Sequence, residues 1–230
     1  MIEKTHIYTE EEWRDEIASE ILFWDNWLKT EGDRWNEEFK RRNDPNTKLQ
    51  DIFLKYIDKT QAKNKILDVG AGPLTGINKK CYFAEIEICP TDPPADEYDK
   101  LLEKYNIKPV VRTLKCDGEK LTEKFKENTF DITNSSNAID HSYDPVKCIE
   151  EMIKVTKNKH FIILQHSENE GERQNWYGLH KWNFFIEKNA LWLQGRDLKK
   201  VNLTRKFKNI SEMVQFTKEG EMITAVFFKI

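Results

Sequence analysis

Residues 66–76 read ILDVGAGPLTG, a short apolar run that ends in closely spaced glycines. The apolar run 66–69 predicts a strand buried on both faces of a parallel sheet, because such strands carry continuous apolar residues. Gly70 and Gly72 lack a Cβ atom, so the backbone there can turn sharply and approach a ligand closely. Ligands of open α/β sheets bind beyond the carboxyl ends of the strands, so these glycines predict a ligand site.

The sequence around this stretch alternates between strand-like and helix-like segments. Further strands are predicted at residues 82–89, 110–115, 130–135 and 160–165. Helices are predicted between several of them, at residues 96–105, 121–126 and 145–157. Such alternation predicts right-handed crossovers and a doubly wound, Rossmann-like α/β fold with a mostly parallel sheet. Two late strands, within 191–207 and at 222–230, follow without long crossovers and predict an antiparallel edge strand.

The first 60 residues predict helices and no strands. Thr9 and Glu12 have the spacing of a capping box, in which two side chains satisfy free amides at a helix start. Apolar residues then recur at helical spacing, namely Trp13, Ile17, Ile21, Trp24 and Leu28. We therefore expect residues 1–60 to form an N-terminal helical cap and residues 61–230 to form the core, within one compact domain.

Composition and charge disfavour several classes of protein. The chain has 230 residues, a net charge of -3 and 33% charged residues, with acidic and basic residues intermixed. Proteins that bind a nucleic-acid backbone carry a basic patch, so nucleic acid is not an expected partner. No apolar stretch reaches the roughly 18 residues of a membrane helix, and the N-terminus shows no secretion signal. We expect a cytoplasmic protein that acts on a small molecule.

The sequence does not predict a metal site or disulfides. The four cysteines are irregularly spaced and form no Cys-x-x-Cys pair, which disfavours a zinc site or a disulfide framework. A carboxylate-bound metal would use acids after the fourth and fifth strands, where Asp140, Asp144 and Glu168 occur. Solvated surface acids are the simpler interpretation of these three residues.

The spacing of acids around the glycines distinguishes two kinds of nucleoside cofactor. A nicotinamide-dinucleotide fingerprint has its third glycine where this chain has Thr75. Asp68, two residues before Gly70, is poorly placed beside a pyrophosphate but suits a cationic ammonium or sulfonium group. Asp92 follows the second predicted strand, and a carboxylate at that position can accept hydrogen bonds from both hydroxyls of a ribose.

A third acid, Asp117, follows the third predicted strand and would orient an adenine amino group. With this set the chain resembles class I S-adenosylmethionine-dependent methyltransferases over roughly residues 62–165. The resemblance implies S-adenosylmethionine as the cofactor. The cofactor-binding residues it implies are Asp68, Gly70, Gly72, Asp92, Asp117 and Gly118. Leu74 departs from the first motif of the family, where a glycine is common, and the helix after the glycines must be short.

Three histidines at or beyond strand ends are candidates for catalysis. Methyl transfer to an oxygen requires removal of a proton, and imidazole suits this task because its pKa lies near neutrality. The candidates are His141, His166 and His180, with His180 slightly favoured as the base. The loop after the fifth strand adds polar and aromatic side chains that we predict to bind the acceptor, namely Glu168, Asn169, Tyr177 and Trp182.

This loop resembles a bacterial subgroup of methyltransferases associated with surface-polysaccharide or small-metabolite pathways. The resemblance implies a small polar acceptor, such as a hydroxyl of a sugar or nucleotide-linked metabolite. Trp24, Trp27 and Trp35 of the cap are expected to close over the cofactor. Two alternatives stay open: another nucleotide-cofactor enzyme such as an NAD(P)-dependent reductase, and a catalytically inactive methyltransferase-fold subunit that only binds. The number of subunits is not predicted.

Overall fold

The computed structural model describes residues 9–230, so the first eight residues of the predicted cap, including His6, lie outside the described part of the chain. The described strands are β1 (Lys63–Val69), β2 (Glu85–Asp92), β3 (Leu114–Lys115), β4 (Phe130–Ser136), β5 (Thr156–Ser167), β6 (Trp182–Glu187), β7 (Ala190–Gly195), β8 (Lys200–Asn202), β9 (Ser211–Glu219) and β10 (Met222–Lys229). The described helices are α1 (Glu10–Lys29), α2 (Asn36–Asn43), α3 (Asp51–Leu54), α4 (Ala95–Lys104), α5 (Leu121–Lys124), α6 (Pro145–Val155), α7 (Glu170–Arg173) and α8 (Leu203–Lys206).

Seven of these strands form the central sheet, in the order β3-β2-β1-β4-β5-β10-β9. The first five strands of this order are parallel, and β10 runs antiparallel to both β5 and β9. The order reverses next to β1, which places the end of that strand at the switch point where ligands bind in such sheets. The predicted doubly wound, mostly parallel α/β fold with an antiparallel edge is confirmed.

The structure corrects the prediction of a strand of the main sheet within residues 191–207. That segment provides β7 and β8 of a separate three-stranded sheet with β6, and then helix α8. The remaining strand of the central sheet is β9, which the sequence analysis did not predict. As the outermost strand, β9 has six exposed residues among its nine, so it lacks the continuous apolar run of the inner strands.

The central sheet is covered on both faces. Neighbouring residues of β1 point to opposite faces, because successive side chains of a strand alternate. Leu67 packs with Met152 of α6 on one face, and Ile66 packs with Phe53 of α3 on the other. Ile66 and Leu67 are both fully buried, which explains why β1 is apolar on both sides.

Helix α1 begins at the predicted capping box. The Thr9 hydroxyl accepts a hydrogen bond from the backbone N–H of Glu12, and the Glu12 carboxylate accepts one from the backbone N–H of Thr9. The helix then runs across the carboxyl ends of the central strands, where Trp13 donates to the carbonyl of His141. Within residues 9–230, no helix is both long and apolar enough to cross a bilayer.

Candidate active site

The end of β1 forms a tight bend that favours glycine at two positions. The backbone N–H groups of Gly70 and Ala71 both donate to the carbonyl of Thr91 at the end of β2, over 2.8 and 3.0 Å. Gly70 and Gly72 have φ angles of 74° and 66°, which residues with a Cβ rarely adopt. A Cβ atom on Gly70 would lie 2.2 Å from the Cβ of Ala138. The bend is therefore held against both β2 and the loop after β4.

Two buried carboxylates flank this bend, at the ends of β1 and β2. Asp92 accepts a hydrogen bond from the backbone N–H of Gly72 over 2.9 Å. Burial raises the pKa of Asp92 to about 7, although the Gly72 N–H opposes this rise. Asp68 accepts hydrogen bonds from the Thr75 hydroxyl at 2.6 Å and the Asn134 amide at 2.8 Å, and burial raises its pKa. Both side chains line the same cavity.

The cavity at this end of the sheet has a volume of about 650 Å³. It lies between the glycine bend, helix α1 and the loops after β3, β4 and β5. Five of the six predicted cofactor residues line it, namely Asp68, Gly70, Gly72, Asp92 and Gly118. The sixth, Asp117, is absent from the lining, and its carboxylate lies 3.3 Å from the Lys120 ammonium and 3.8 Å from the Arg14 guanidinium. Its neighbour Glu119 lines the cavity instead, and burial raises the pKa of Glu119 to about 7.

No helix follows the bend, because residues 70–84 join β1 to β2 as an irregular loop. Arginines of α2 bind its carbonyl groups: Arg41 donates to Gly76 and Arg42 donates to Leu74, each over 2.7 Å. Gln50 also donates to the Gly76 carbonyl, over 2.8 Å. Side chains thus satisfy backbone groups that a helix would satisfy internally. Arg41 and Arg42 also line the cavity, so they bring positive charge to the bend.

Asp140 stands at the centre of a cluster that contains all three predicted histidines. One carboxylate oxygen, Oδ2, lies 3.4 Å from Nε2 of His141 and 3.6 Å from Nδ1 of His180. The other, Oδ1, lies 3.5 Å from Nδ1 of His166. Nε2 of His141 and Nδ1 of His180 are 2.9 Å apart. Glu20 of α1 completes the cluster, with Oε2 at 3.5 Å from Nδ1 of His141.

Burial and charge shift the pKa values of this cluster in opposite directions. Burial by itself would raise the pKa of Asp140, but the surrounding imidazoles hold that pKa well below its usual range. Burial opposes the charged form of His141, yet Asp140 and Glu20 raise the pKa of His141 to about 9. The structure also corrects the interpretation of Asp140 as a solvated surface acid, since only 2% of the residue is exposed.

The histidines of the cluster differ in their access to the cavity. His141 and His180 line it, with 21% and 28% of their side chains exposed. His166 lies behind Asp140, is buried and stacks on Phe184 with ring centroids 4.1 Å apart. The structure therefore brings the three predicted histidines together and presents two of them to a ligand.

The residues predicted to bind the acceptor lie in three different places. Tyr177 lines the mouth of the main cavity and is 80% exposed. Glu168 and Asn169 line a second, separate cavity, where Glu168 pairs with Lys218. Trp182 is 1% exposed and donates its indole N–H to the Ser142 carbonyl over 2.9 Å. Only Tyr177 of these four lines the main cavity.

The tryptophans of the cap also differ in position. Trp24 lines the cavity, and a Cβ on Gly72 would lie 2.5 Å from its ring. Trp27 is buried away from the cavity lining and packs on Phe39, with ring centroids 5.4 Å apart. Trp35 is 44% exposed. Of the three, Trp24 alone contacts the glycine bend.

The sequence did not predict Glu20, Arg42 or Glu119 as residues of the site, and it favoured a solvated surface position for Asp140. A signal for Glu20 was present, because it lies on the same face of α1 as Trp13, Ile17 and Trp24. A carboxylate on an otherwise apolar helix face indicates a polar partner inside. The position of Arg42 depends on the loop that replaces a helix, and no local pattern of residues indicates that replacement.

Comparisons with known proteins agree with this architecture. A family model described as "Methyltransferase domain" matches residues 98–218, slightly more than half of the chain. An uncharacterized methyltransferase of Schizosaccharomyces pombe is 32% identical over 125 residues, which is 50% of this chain and 43% of that relative. The matched segment is therefore less than half of the curated relative's length.

Solved structures show the same fold at low sequence identity. A possible histamine N-methyltransferase from Thermotoga maritima has a TM-score of 0.54 at 13% identity, covering 94% of this chain and 99% of that one. A 1,6-didemethyltoxoflavin-N1-methyltransferase from Burkholderia thailandensis has a TM-score of 0.53 at 12% identity, covering 97% of this chain and 91% of that one. The latter structure contains 1,6-didemethyltoxoflavin and S-adenosylhomocysteine.

The sheet order and the cavity beside the first strand define the fold class of the solved S-adenosylmethionine-dependent methyltransferases. The family model narrows this class. The chain belongs to the methyltransferase domain family.

Proposed function

We propose that this protein transfers the methyl group of S-adenosylmethionine to a hydroxyl group of a small polar acceptor, such as a sugar or a nucleotide-linked metabolite. The observation that carries the proposal is the position of Asp140, His141 and His180 in the cavity wall. Asp140 and His141 follow Ala138, which packs directly against Gly70, and His180 lies 2.9 Å from His141. Groups that can activate a hydroxyl therefore stand beside the bend that would hold the cofactor.

The buried acids of the cavity suit the two ends of the cofactor. Asp92 would accept hydrogen bonds from the ribose hydroxyls, as acids after the second strand do in nucleoside-binding sheets. Asp68 would attract the methionine ammonium group, and Arg42 would offer its charge to the methionine carboxylate. Gly118, on the proposed adenine side, lets the backbone after β3 pack closely, because a Cβ at that position would lie 2.9 Å from Sγ of Cys148 and 3.3 Å from Cγ1 of Val69.

For methyl transfer, the protein must mainly align the two reactants and activate the acceptor. The acceptor oxygen attacks the methyl carbon, the new C–O bond forms as the C–S bond breaks, and S-adenosylhomocysteine leaves. Alignment of the two reactants lowers the barrier by removing much of the entropic cost. The hydroxyl must also lose its proton, and the cluster at Asp140 stands where that activation is needed.

Tyr177 is the residue that we assign to acceptor recognition at the cavity mouth. Its ring is 80% exposed, and an exposed aromatic face can stack on a sugar or a base. Nitrogen acceptors form the second candidate class, because one structural neighbour is an N1-methyltransferase and another is a possible N-methyltransferase. An uncharged nitrogen needs no prior loss of a proton, so a buried carboxylate with imidazoles favours the hydroxyl class.

The experiment is a methyl-transfer assay with two panels of acceptors. The full chain is incubated with S-adenosylmethionine and either nucleotide sugars and simple sugars or heterocyclic amines, and products are identified by mass spectrometry. Methylation in the sugar panel that His180→Gln abolishes supports the proposal, with His160→Gln as the matched control. His160 lies on β5 and contacts Asp131 at 3.2 Å, outside the cavity lining.

Methylation only in the amine panel would refute methyl transfer to a hydroxyl and support methyl transfer to nitrogen. Titrations with S-adenosylhomocysteine and NADH test the two alternatives left open by the sequence. Binding of NADH and no binding of S-adenosylhomocysteine would favour a reductase, and binding of neither would favour a subunit without catalytic activity.

A further inference from the structure

Three potential metal-ligand atoms converge on one point in the cavity wall. They are Oδ2 of Asp140, Nε2 of His141 and Nδ1 of His180, separated by 3.4, 3.6 and 2.9 Å. Ligand atoms about 2.1 Å from one ion lie about 3.0–3.4 Å apart at bond angles of about 90–109°. The three atoms lie about 1.9 Å from a common centre, so an ion slightly out of their plane would be about 2.1 Å from each.

A second observation also points to a bound cation. The Asp140 side chain is 3% exposed, and its Oδ1 atom lies 3.5 Å from Nδ1 of His166, which is too far for a normal hydrogen bond. A buried carboxylate is costly unless it is paired with a positive charge or a metal. The facing imidazoles can supply that charge only by holding protons, whereas a bound ion would supply it directly.

The surroundings of the three atoms have the arrangement that supports metal ligands. Glu20 lies 3.5 Å from Nδ1 of His141, so a carboxylate faces the ring nitrogen opposite the one that would bind the ion. Such outer carboxylates fix the tautomer and orientation of a ligating histidine. Trp13 and Trp182 donate to the carbonyls of His141 and Ser142, which fixes the backbone of the same turn.

We propose that Asp140, His141 and His180 bind one divalent transition-metal ion of the Zn²⁺ type in the wall of the main cavity. Two imidazoles with one carboxylate favour ions such as Zn²⁺ or Fe²⁺. Mg²⁺ and Ca²⁺ favour oxygen ligands and are not expected here. Three protein ligands, with the two imidazoles 21% and 28% exposed, leave a coordination position open to the cavity, as in catalytic sites and unlike closed structural ones.

The role of the ion rests on the proposed function. An acceptor hydroxyl bound at the open position would ionise more readily, because a metal lowers the pKa of a bound oxygen. The proton passes to solvent, the oxygen forms its bond with the methyl carbon, and the C–S bond of the cofactor breaks. His180 is then a metal ligand, and this replaces the role of general base that the sequence favours.

Metal binding is measured without cofactor or acceptor, so that its outcome is independent of the assay for methyl transfer. The full chain is treated with a chelator, dialysed and titrated with Zn²⁺ by calorimetry. Co²⁺ is used in a parallel titration because its visible absorption bands report the coordination geometry. We expect one equivalent of each ion to bind to the wild type and to His160→Gln.

Variants of the cluster distinguish binding of an ion at Asp140, His141 and His180 from nonspecific binding elsewhere on the protein. Asp140→Asn and His180→Gln should lose the stoichiometric binding and the Co²⁺ spectrum, and Glu20→Gln should weaken Zn²⁺ binding roughly 10- to 100-fold. Retained binding of S-adenosylhomocysteine by His180→Gln shows that this variant is folded. Absence of a bound equivalent in the wild type, or equal binding by His180→Gln, would overturn the proposal. Metal binding without methylation of sugars would leave the site intact and refute only the proposed hydroxyl chemistry.

Discussion

Oδ2 of Asp92 accepts a hydrogen bond from the backbone N–H of Gly72 over 2.9 Å, which joins the end of β2 to the bend after β1. The bond uses one lone pair of one oxygen, so the carboxylate can still accept from a ligand. This hydrogen bond links the two parts of the chain that we expect to bind the cofactor. It also means that a change at residue 92 alters both the ligand contact and the bend.

Replacement of Asp92 by Ala should weaken cofactor binding. The change removes a charged hydrogen-bond acceptor, which costs about 1.5–3 kcal/mol, or roughly 10- to 150-fold in Kd. Calorimetric titration with S-adenosylhomocysteine measures this loss. Asp96→Ala is the matched control, because Asp96 is an exposed acid that pairs with Lys115 on the surface. Equal affinities of the wild type and Asp92→Ala would exclude Asp92 from the site.

Cofactor affinity should rise with pH up to about pH 7. Burial raises the pKa of Asp92 from 3.8 to about 7, with Glu20 adding to the rise and Gly72, His141 and Tyr98 opposing it. Ribose hydroxyls donate to the ionised carboxylate, so binding below that pH requires loss of a proton, and affinity should change by up to roughly tenfold per pH unit. Calorimetry in buffers of different ionisation enthalpy measures the released proton. Affinity that falls between about pH 5.5 and about pH 7 would contradict this assignment.

The same pKa gives the sign of a stability effect in the free protein. Because the folded pKa of Asp92 is raised, its contribution to the free energy of unfolding is present in full below about pH 4 and is lost as the pH rises through about 7. Glu119 shares the cavity and has a pKa of about 7. Two variants show which of these acids causes the pH dependence of cofactor binding. The pH dependence of cofactor affinity should disappear in Asp92→Asn and persist in Glu119→Gln.

Replacement of Gly70 by Ala should destabilise the fold more than the same change at Gly220. Both glycines have positive φ angles, 74° and 61°, so each change carries a backbone cost of about 1–2 kcal/mol. A Cβ on Gly70 would also collide with Ala138, whereas a Cβ on Gly220 would contact nothing within 4 Å. Chemical denaturation of Gly70→Ala, of Gly220→Ala and of Gly70→Ala combined with Ala138→Gly measures the difference. If Ala138→Gly restores no stability to Gly70→Ala, the collision with Ala138 is not the reason that residue 70 is glycine.

Replacement of Trp182 by Phe should lower the free energy of unfolding by about 1–3 kcal/mol, because the buried carbonyl of Ser142 would lose its donor. The matched control is Trp192→Phe, whose indole N–H donates to an exposed carbonyl at Glu187. Loss of this donor is expected to cost no more than about 0.5 kcal/mol, because water can reach the Glu187 carbonyl. Thermal and denaturant unfolding compare the two variants, and a smaller loss at Trp182 than at Trp192 would contradict this role.

The part of the fold that depends on local pattern was predictable from the sequence. The apolar run before Gly70 identified β1, and the acid after the second strand identified Asp92, because parallel strands end at one edge of the sheet. The outermost strand β9 was not predictable in this way, since six of its nine residues are exposed. The assignment of residues 191–207 to the main sheet was wrong. A pattern of alternating apolar and polar residues indicates a strand, but it does not indicate which sheet the strand joins.

The composition of the active site was only partly predictable. The positions of His141, His166 and His180 after strands indicated that they could meet, but nothing local indicated that Asp140 would be the buried group that unites them. Glu20 and Arg42 reach the cavity from helices far away in the sequence. Such contacts depend on how the N-terminal helices pack on the sheet, and a single sequence contains no local signal for that packing.

A crystal structure of the complex with S-adenosylhomocysteine would show whether Asp92 binds the ribose. The measurement is the distance from the ribose hydroxyls of the ligand to the Asp92 carboxylate. We expect two hydrogen bonds of about 2.5–3.0 Å, with the sulfur facing the side chains of His141 and His180. A ligand bound elsewhere, or hydroxyls farther than roughly 3.5 Å from Asp92, would contradict this expectation.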